Sequence, residues 1–346
     1  MRIILSDMSR NQFFKDLNEV LKTPQHIAII THVNPDGDAI GSSLAFSQFL
    51  RKLGHEVEVM VSNDFPEFLA WMPGASTIHI YDKNADGCNL ILDRADCIVM
   101  LDFNHLSRAG LIQEKLKSLE TKKILIDHHR DPNLEYYACA LSETEVSSTS
   151  ELVAETILSY GEHYLDEAIA TNLLVGIVTD TGSFAHSIFH AQTLSICAKL
   201  IEKAPSYNQI HQLVYDTFSE DRLRLLGYAI NNKMEVLDEY ATTIISLDKE
   251  ELARFNYQIG DTEGVVNYPL SMKKMVMSVL VTERQGVIRL SFRSKGDFSV
   301  HELAQKYFNG GGHTNAAGGT LTCSMEEALN LLHKVLPEYR EMLVKQ

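Results

Sequence analysis

The chain has 346 residues, 45% hydrophobic and 22% charged, with a formal net charge of −15. That length suggests two domains with room for a buried core, and so acidic a balance excludes a protein whose main work is to neutralise the phosphates of long nucleic acid. Cys88, Cys97, Cys139, Cys197 and Cys323 lack paired or metal-type spacing and read as reduced, as in a cytoplasm; the N-terminus turns polar too early for a signal peptide, and no apolar run reaches membrane-spanning length.

The first predicted element is an amphipathic helix over 9–21, with Ser9 as its cap. A short branched run, 26–31, reads as a buried strand. It ends at His32-Val33-Asn34-Pro35-Asp36-Gly37-Asp38, and Asp38 is expected to cap a helix that stops at Gly54. Residues 57–61 form the next strand. Strand 97–101 delivers Asp102, and strand 123–126 delivers Asp127-His128-His129. Helices are predicted over 151–160 and 166–178, the second ending just before Asp180. Strands alternating with helices imply a mostly parallel, doubly wound sheet.

Between 193 and 234 apolar residues recur at helical intervals, which predicts a helical connector. Strands follow over 241–247, 275–282 and 287–293, then a helix over 300–307. Next comes a glycine-rich loop, Asn309-Gly310-Gly311-Gly312-His313-Thr314-Asn315-Ala316-Ala317-Gly318-Gly319, and a closing helix over 325–336. The expected fold class is α/β. A doubly wound N-terminal domain (1–192), a connector (193–235) and a smaller α/β domain with a mixed sheet (236–346) would place the active site in the cleft between domains.

Four acidic and imidazole clusters at element ends point to a divalent metal site. Strand ends of a parallel sheet face one crevice, where ligands bind. Asp36 and Asp38 flank Gly37 in a turn stiffened by Pro35. Singly, each cluster has a plain reading: an Asp-rich turn, a helix cap or a polar turn. Jointly they form a carboxylate and imidazole set without cysteine, suited to a borderline-hard ion such as Mn²⁺. Two ions sharing a carboxylate make phosphoester hydrolysis the first choice of reaction. The glycine-rich loop is no Walker-type loop, but successive glycines let backbone amides approach an anion. Lys273, Lys274, Arg284, Arg289, Arg293, Lys295 and Lys306 outnumber the acids nearby.

In combination, HVNPDGDAIGSS, LDFNHLSRAG, IDHH, VTDTGSF and FRSKGDFSV…FNGGGHTNAAGG resemble the DHH phosphoesterases with a DHH-associated C-terminal domain. More narrowly they are similar to the nano-RNases, bifunctional oligoribonucleases and phosphoadenosine phosphate phosphatases. The resemblance spans about His26 to Gly319. It implies two divalent ions, usually Mn²⁺, with Mg²⁺ or Co²⁺ as alternatives. His32, Asp36 and Asp102 would hold one ion, and Asp38, Asp102, His128 and Asp180 the other, with Asp102 bridging. His129 would face the scissile phosphate, making His129, Asp102 and His128 the catalytic group. Asp127 would orient the histidines and Asn34 would support the pocket. Arg293, Ser294, Gly311, Gly312 and His313 would bind substrate, with Arg108 a weaker candidate contact. A homodimer is also implied.

The expected function is hydrolysis of short oligoribonucleotides to mononucleotides, and of the 3′-phosphate of phosphoadenosine phosphate. The expected partners are short RNA or small nucleotides, with neither long nucleic acid nor membrane, in the cytoplasm. The same site would also suit cyclic or linear dinucleotides. An inorganic pyrophosphatase or exopolyphosphatase-like enzyme, and a nucleotide-binding protein without turnover, are the remaining alternatives.

Overall fold

The computed structural model describes residues 2–185, 189–284 and 286–345. They fall into two compact units, Met1–Thr217 and Phe218–Gln346. The first comprises, in order, α1 (Arg2–Val20), β1 (His26–Ile30), α2 (Gly37–Lys52), β2 (Glu56–Val61), β3 (His79–Ile80), α3 (Ala85–Arg94), β4 (Cys97–Leu101), α4 (Gln113–Ser118), β5 (Lys122–Asp127), β6 (Cys139–Ser142), α5 (Thr149–Tyr160), α6 (Glu167–Thr181), α7 (Ala191–Ile201) and α8 (Tyr207–Tyr215). The second comprises α9 (Glu220–Asn232), β7 (Met234–Leu237), β8 (Thr242–Leu247), α10 (Lys249–Arg254), β9 (Met277–Arg284), β10 (Val287–Ser294), α11 (Val300–Tyr307), β11 (Gly311–Gly312), β12 (Ala316–Leu321) and α12 (Met325–Val344).

In the first unit six strands form one sheet in the order β3-β2-β1-β4-β5-β6, and every pairing is parallel. The order reverses between β1 and β4, the switch point of a doubly wound sheet. Its strands are branched runs because both faces are covered. Ile27 and Ile29 of β1 pack with Val99 and Leu101 of β4 into one core. Ala28, Ile30, Ile98 and Met100 point the other way, toward Leu92, Phe103 and Leu116.

α2 and α6 approach closely because small residues line their contact. A Cβ on Gly41 would strike the Asn172 backbone carbonyl, and one on Gly176 would strike the Ser150 hydroxyl and come within 2.9 Å of Asp38 Oδ1.

The second unit holds a mixed sheet in the order β11-β12-β10-β9-β8-β7. β8 and β9 are parallel and the other pairs antiparallel. One face is covered through Phe292, Leu303, Phe308 and Leu332, the other through Leu225, Ile245, Val265 and Leu280.

Several local expectations are corrected. α1 already begins at Arg2, so Ser9 lies inside it. Asp36, not Asp38, caps α2: its carboxylate accepts from the amides of Asp38 and Ala39, the donors a helix start leaves over. α6 continues through Thr181, so Asp180 sits on its last turn. The glycine-rich segment is a hairpin rather than a loop, with Gly311 and Gly312 pairing against Gly318 and Ala317. Gly312 has φ 149°, and a Cβ there would strike the Ala316 carbonyl. α12 runs past Pro337 to Val344, and burial of Leu343 continues its apolar stripe. β3, β6, β7, α3, α4 and α10 lie outside the elements expected from the sequence.

Candidate metal centre

The segments following β1, β4 and β5 leave the C-terminal edge of the parallel sheet, and those following β1 and β4 flank the switch point. With Asp127, the last residue of β5, they bring together His32, Asp102, His128 and His129, all buried. α2 adds Asp38 from its first turn and α6 adds Asp180 from its last.

Donor atoms of His32, Asp36 and Asp102 lie within 4.8 Å of one another, as do those of Asp38, Asp102 and His128. The two sets share Asp102. Its Oδ2 lies 3.4 Å from His32 Nε2, and its Oδ1 lies 3.4 Å from His128 Nε2. His128 Nε2 is 3.7 Å from Asp180 Oδ2 and 3.9 Å from Asp38 Oδ2. Asp36 stands at the rim: its Oδ2 is 3.9 Å from His32 Nε2 and its side chain is 53% exposed.

The donor chemistry fits divalent ions. Asp38 and Asp102 are 1% and 2% exposed, yet among the described residues their ion-pair partners are imidazoles only. Buried carboxylates in that setting are matched by metal coordination.

The electrostatics show how strongly these groups compete for protons. Burial, then the charges of Asp102 and Asp180, push the Asp38 carboxyl well above its usual range. Burial would also raise Asp102, but hydrogen bonds from His128 and His32 and the charge of His129 hold it well below. For His128, burial is outweighed by Asp180, Asp102 and Asp38, which push it up to about 10. Burial, Arg108 and His128 drive His129 well below its ordinary value. His129 Nδ1 lies 2.8 Å from Asp127 Oδ1, and burial lifts Asp127 to about 6.

Residues absent from the sequence reading surround this core. The amides of Thr149 and Ser150, at the start of α5, donate to Asp38 Oδ2 and Oδ1 at 2.7 and 2.8 Å. The Thr149 hydroxyl donates to Asp102 Oδ1 at 2.9 Å. The available signal was the run Ser147-Ser148-Thr149-Ser150 before Glu151, a helix-start pattern. Asn34 is paired with Asn63: its amide donates to Asn63 Oδ1 at 2.7 Å, and Asn63 Nδ2 donates back at 3.2 Å. Arg108 acts on His32, Asp127 and His129 through its charge, and its carbonyl accepts from the Val33 amide.

In the second unit Arg293 and Ser294 end β10, beside β12 of the glycine-rich hairpin. The Ser294 hydroxyl donates to the Phe298 carbonyl at 2.7 Å and accepts from Asn315 Nδ2 at 2.9 Å. His313 donates its amide to the Ala316 carbonyl, closing the hairpin. His301 Nδ1 accepts from the Gly312 amide at 3.0 Å.

A family model described as the DHH family, N-terminal domain, matches residues 26–177, and one for the DHHA1 domain matches residues 240–338. The crystal structure of an exopolyphosphatase-related protein from Bacteroides fragilis is 38% identical, with a TM-score of 0.90, over 96% of this chain and 98% of that one. The chain belongs to the DHH family of phosphoesterases. Among the family's proteins, the bifunctional oligoribonuclease and PAP phosphatase NrnA of Thermus thermophilus is 29% identical over 94% of this chain and 93% of its own length. NrnA of Bacillus subtilis is 28% identical over 88% and 92%. The DHH match takes in β1 to β5 and the segments after them, and therefore all the candidate ligands except Asp180.

Proposed function

We propose that this DHH-family member is a Mn²⁺-dependent hydrolase that degrades short oligoribonucleotides to mononucleotides and removes the 3′-phosphate of phosphoadenosine phosphate, in a cytoplasm. The observation that carries the reading is the sharing of Asp102 between two donor sets, together with the names of relatives that match almost end to end. His32, Asp36 and Asp102 would hold one ion, and Asp38, Asp102, His128 and Asp180 the other. When bound, such a pair supplies Lewis-acid activation of water and of the phosphate oxygens.

The protein's own groups do the rest. Asp127 accepts the Nδ1 proton of His129, which makes Nε2 the ring atom that takes up and returns a proton at the scissile phosphate. Burial, with the positive charge of Arg108, keeps the His129 imidazole well below its ordinary value and so favours its neutral form. Arg108, whose charge acts on His32 and His129, is proposed to add positive charge to the site. Arg293 and the His313 imidazole, beside Gly311 and Gly312, are proposed to grip a substrate phosphate. Ser294 is proposed to contribute by fixing Asn315 and the turn to Phe298.

A second reading, hydrolysis of inorganic polyphosphate, is favoured by the name of the 38% identical structure. The test is turnover of end-labelled RNAs from dinucleotide to long single strands with Mn²⁺, beside phosphoadenosine phosphate, cyclic dinucleotide, pyrophosphate and polyphosphate. Fastest turnover on the shortest RNAs, lost in His128→Ala, is expected. Preference for polyphosphate or a cyclic dinucleotide would replace the substrate and keep the centre.

A further inference from the structure

We propose that the first turn of α5 is a positioning element of the metal centre, with Thr149 holding the carboxylates of Asp38 and Asp102 in one fixed register. The inference rests on the two-metal reading above.

A carboxylate shared by two donor sets must keep its plane, because rotation about its last torsion withdraws an oxygen from one set. That torsion is broad and soft in aspartate. The Thr149 hydroxyl bonds Asp102 Oδ1, the oxygen on the His128 side, and so leaves Oδ2 directed at His32. The same residue's amide holds Asp38 Oδ2 while the next amide holds Oδ1. An ionised carboxylate has about four acceptor positions, so both oxygens of Asp38 retain lone pairs for an ion.

The Thr149 hydroxyl bond to Asp102 is separate from the capping of α5. The Ser148 hydroxyl already accepts from the Glu151 amide, at 3.1 Å. The turn is also fastened from behind. Glu151, 2% exposed, accepts from the Ser147 amide and hydroxyl and from the Thr193 hydroxyl of α7. Gly176 of α6 leaves the space that the Ser150 side chain fills. Thr149 itself is fully buried, so a hydroxyl there has no solvent role.

The test compares Thr149→Val, which keeps shape and removes the hydroxyl, with Thr149→Ser, which keeps the hydroxyl. The full chain is titrated with Mn²⁺ in the absence of substrate, free ion being read by its electron paramagnetic resonance signal, with wild type and His128→Ala alongside. Circular dichroism reports the fold. The expected result is Mn²⁺ affinity weakened about 10- to 100-fold in Thr149→Val and restored in Thr149→Ser. Should the valine variant not fold, Thr149→Ala is read in its place. A folded valine or alanine variant that binds Mn²⁺ as wild type does, while His128→Ala does not, overturns the proposal alone. Wild type that binds no Mn²⁺ overturns the metal reading and the proposal with it.

Discussion

Asp102 has φ 65° and Asn34 has φ 54°, a left-handed backbone that costs a side-chain-bearing residue on the order of 1–3 kcal/mol when the surroundings impose it. At Asp102 that conformation turns the chain out of β4 so that the carboxylate stands between His32 and His128. The charges gathered there tie stability to pH. His128 is pushed from its ordinary 6.5 up to about 10 by its three aspartates, against the opposing effect of burial. A raised imidazole favours the folded state fully below pH 6.5, and that contribution is lost as pH rises toward 10. His32 is shifted in the same direction. Melting followed in EDTA should therefore fall between pH 6.5 and about 10. Excess Mn²⁺ should flatten the fall, because a ligating imidazole must give up its proton. A level curve in EDTA would show that the aspartates do not hold that proton.

At the scale of elements, the centre depends on how near α2 comes to α6, since Asp38 rides on one and Asp180 on the other. Gly41 has the Asn172 carbonyl where its Cβ would stand, and backbone cannot swing aside as a side chain can. Gly41→Ala should cost about 1–3 kcal/mol as overpacking and weaken Mn²⁺ binding by parting the two helices. Thermal melting and Mn²⁺ titration check both. A lowered melting point with unchanged affinity would mean that α2 shifts without disturbing the ligands.

At the scale of the molecule, each unit has its own cores, and the proposed metal ligands all belong to the first. Mn²⁺ should then stabilise one unit selectively. At a hundred times its dissociation constant an ion adds about 2.7 kcal/mol, so in calorimetry one transition should move up while the other stays. A single transition moving as a whole would mean that the units unfold together. The net charge of −15 bears on the substrate. Since each phosphate neutralised on a single strand contributes a salt slope of about −0.7, turnover of a dinucleotide should fall only shallowly with salt. A steep slope would indicate a tracked strand.

The grouping of these candidate ligands was legible in the amino-acid order because each member lies within a few residues of an element end that its own neighbours specify. His32, Asp102 and Asp127-His128-His129 follow buried branched strands, and parallel pairing then obliges those ends to face one edge. The helical stretch from 193 to 234 was equally local, and most of α7 and all of α8 and α9 fall within it. Other features depend on distance along the chain. Thr149 and Ser150 reach Asp38 across 111 and 112 positions, and nothing near Thr149 marks its hydroxyl for Asp102 instead of for the helix it begins. Whether the glycine-rich segment would be loop or hairpin was decided by β12 pairing with β10, since glycine sets almost no conformational preference of its own. The sequence by itself determined which side chains could bind metal, because strand periodicity and turn chemistry are local. The tertiary structure alone decided which hydroxyl and amides hold those ligands still, because that follows from the packing of α2, α5 and α6 against one another.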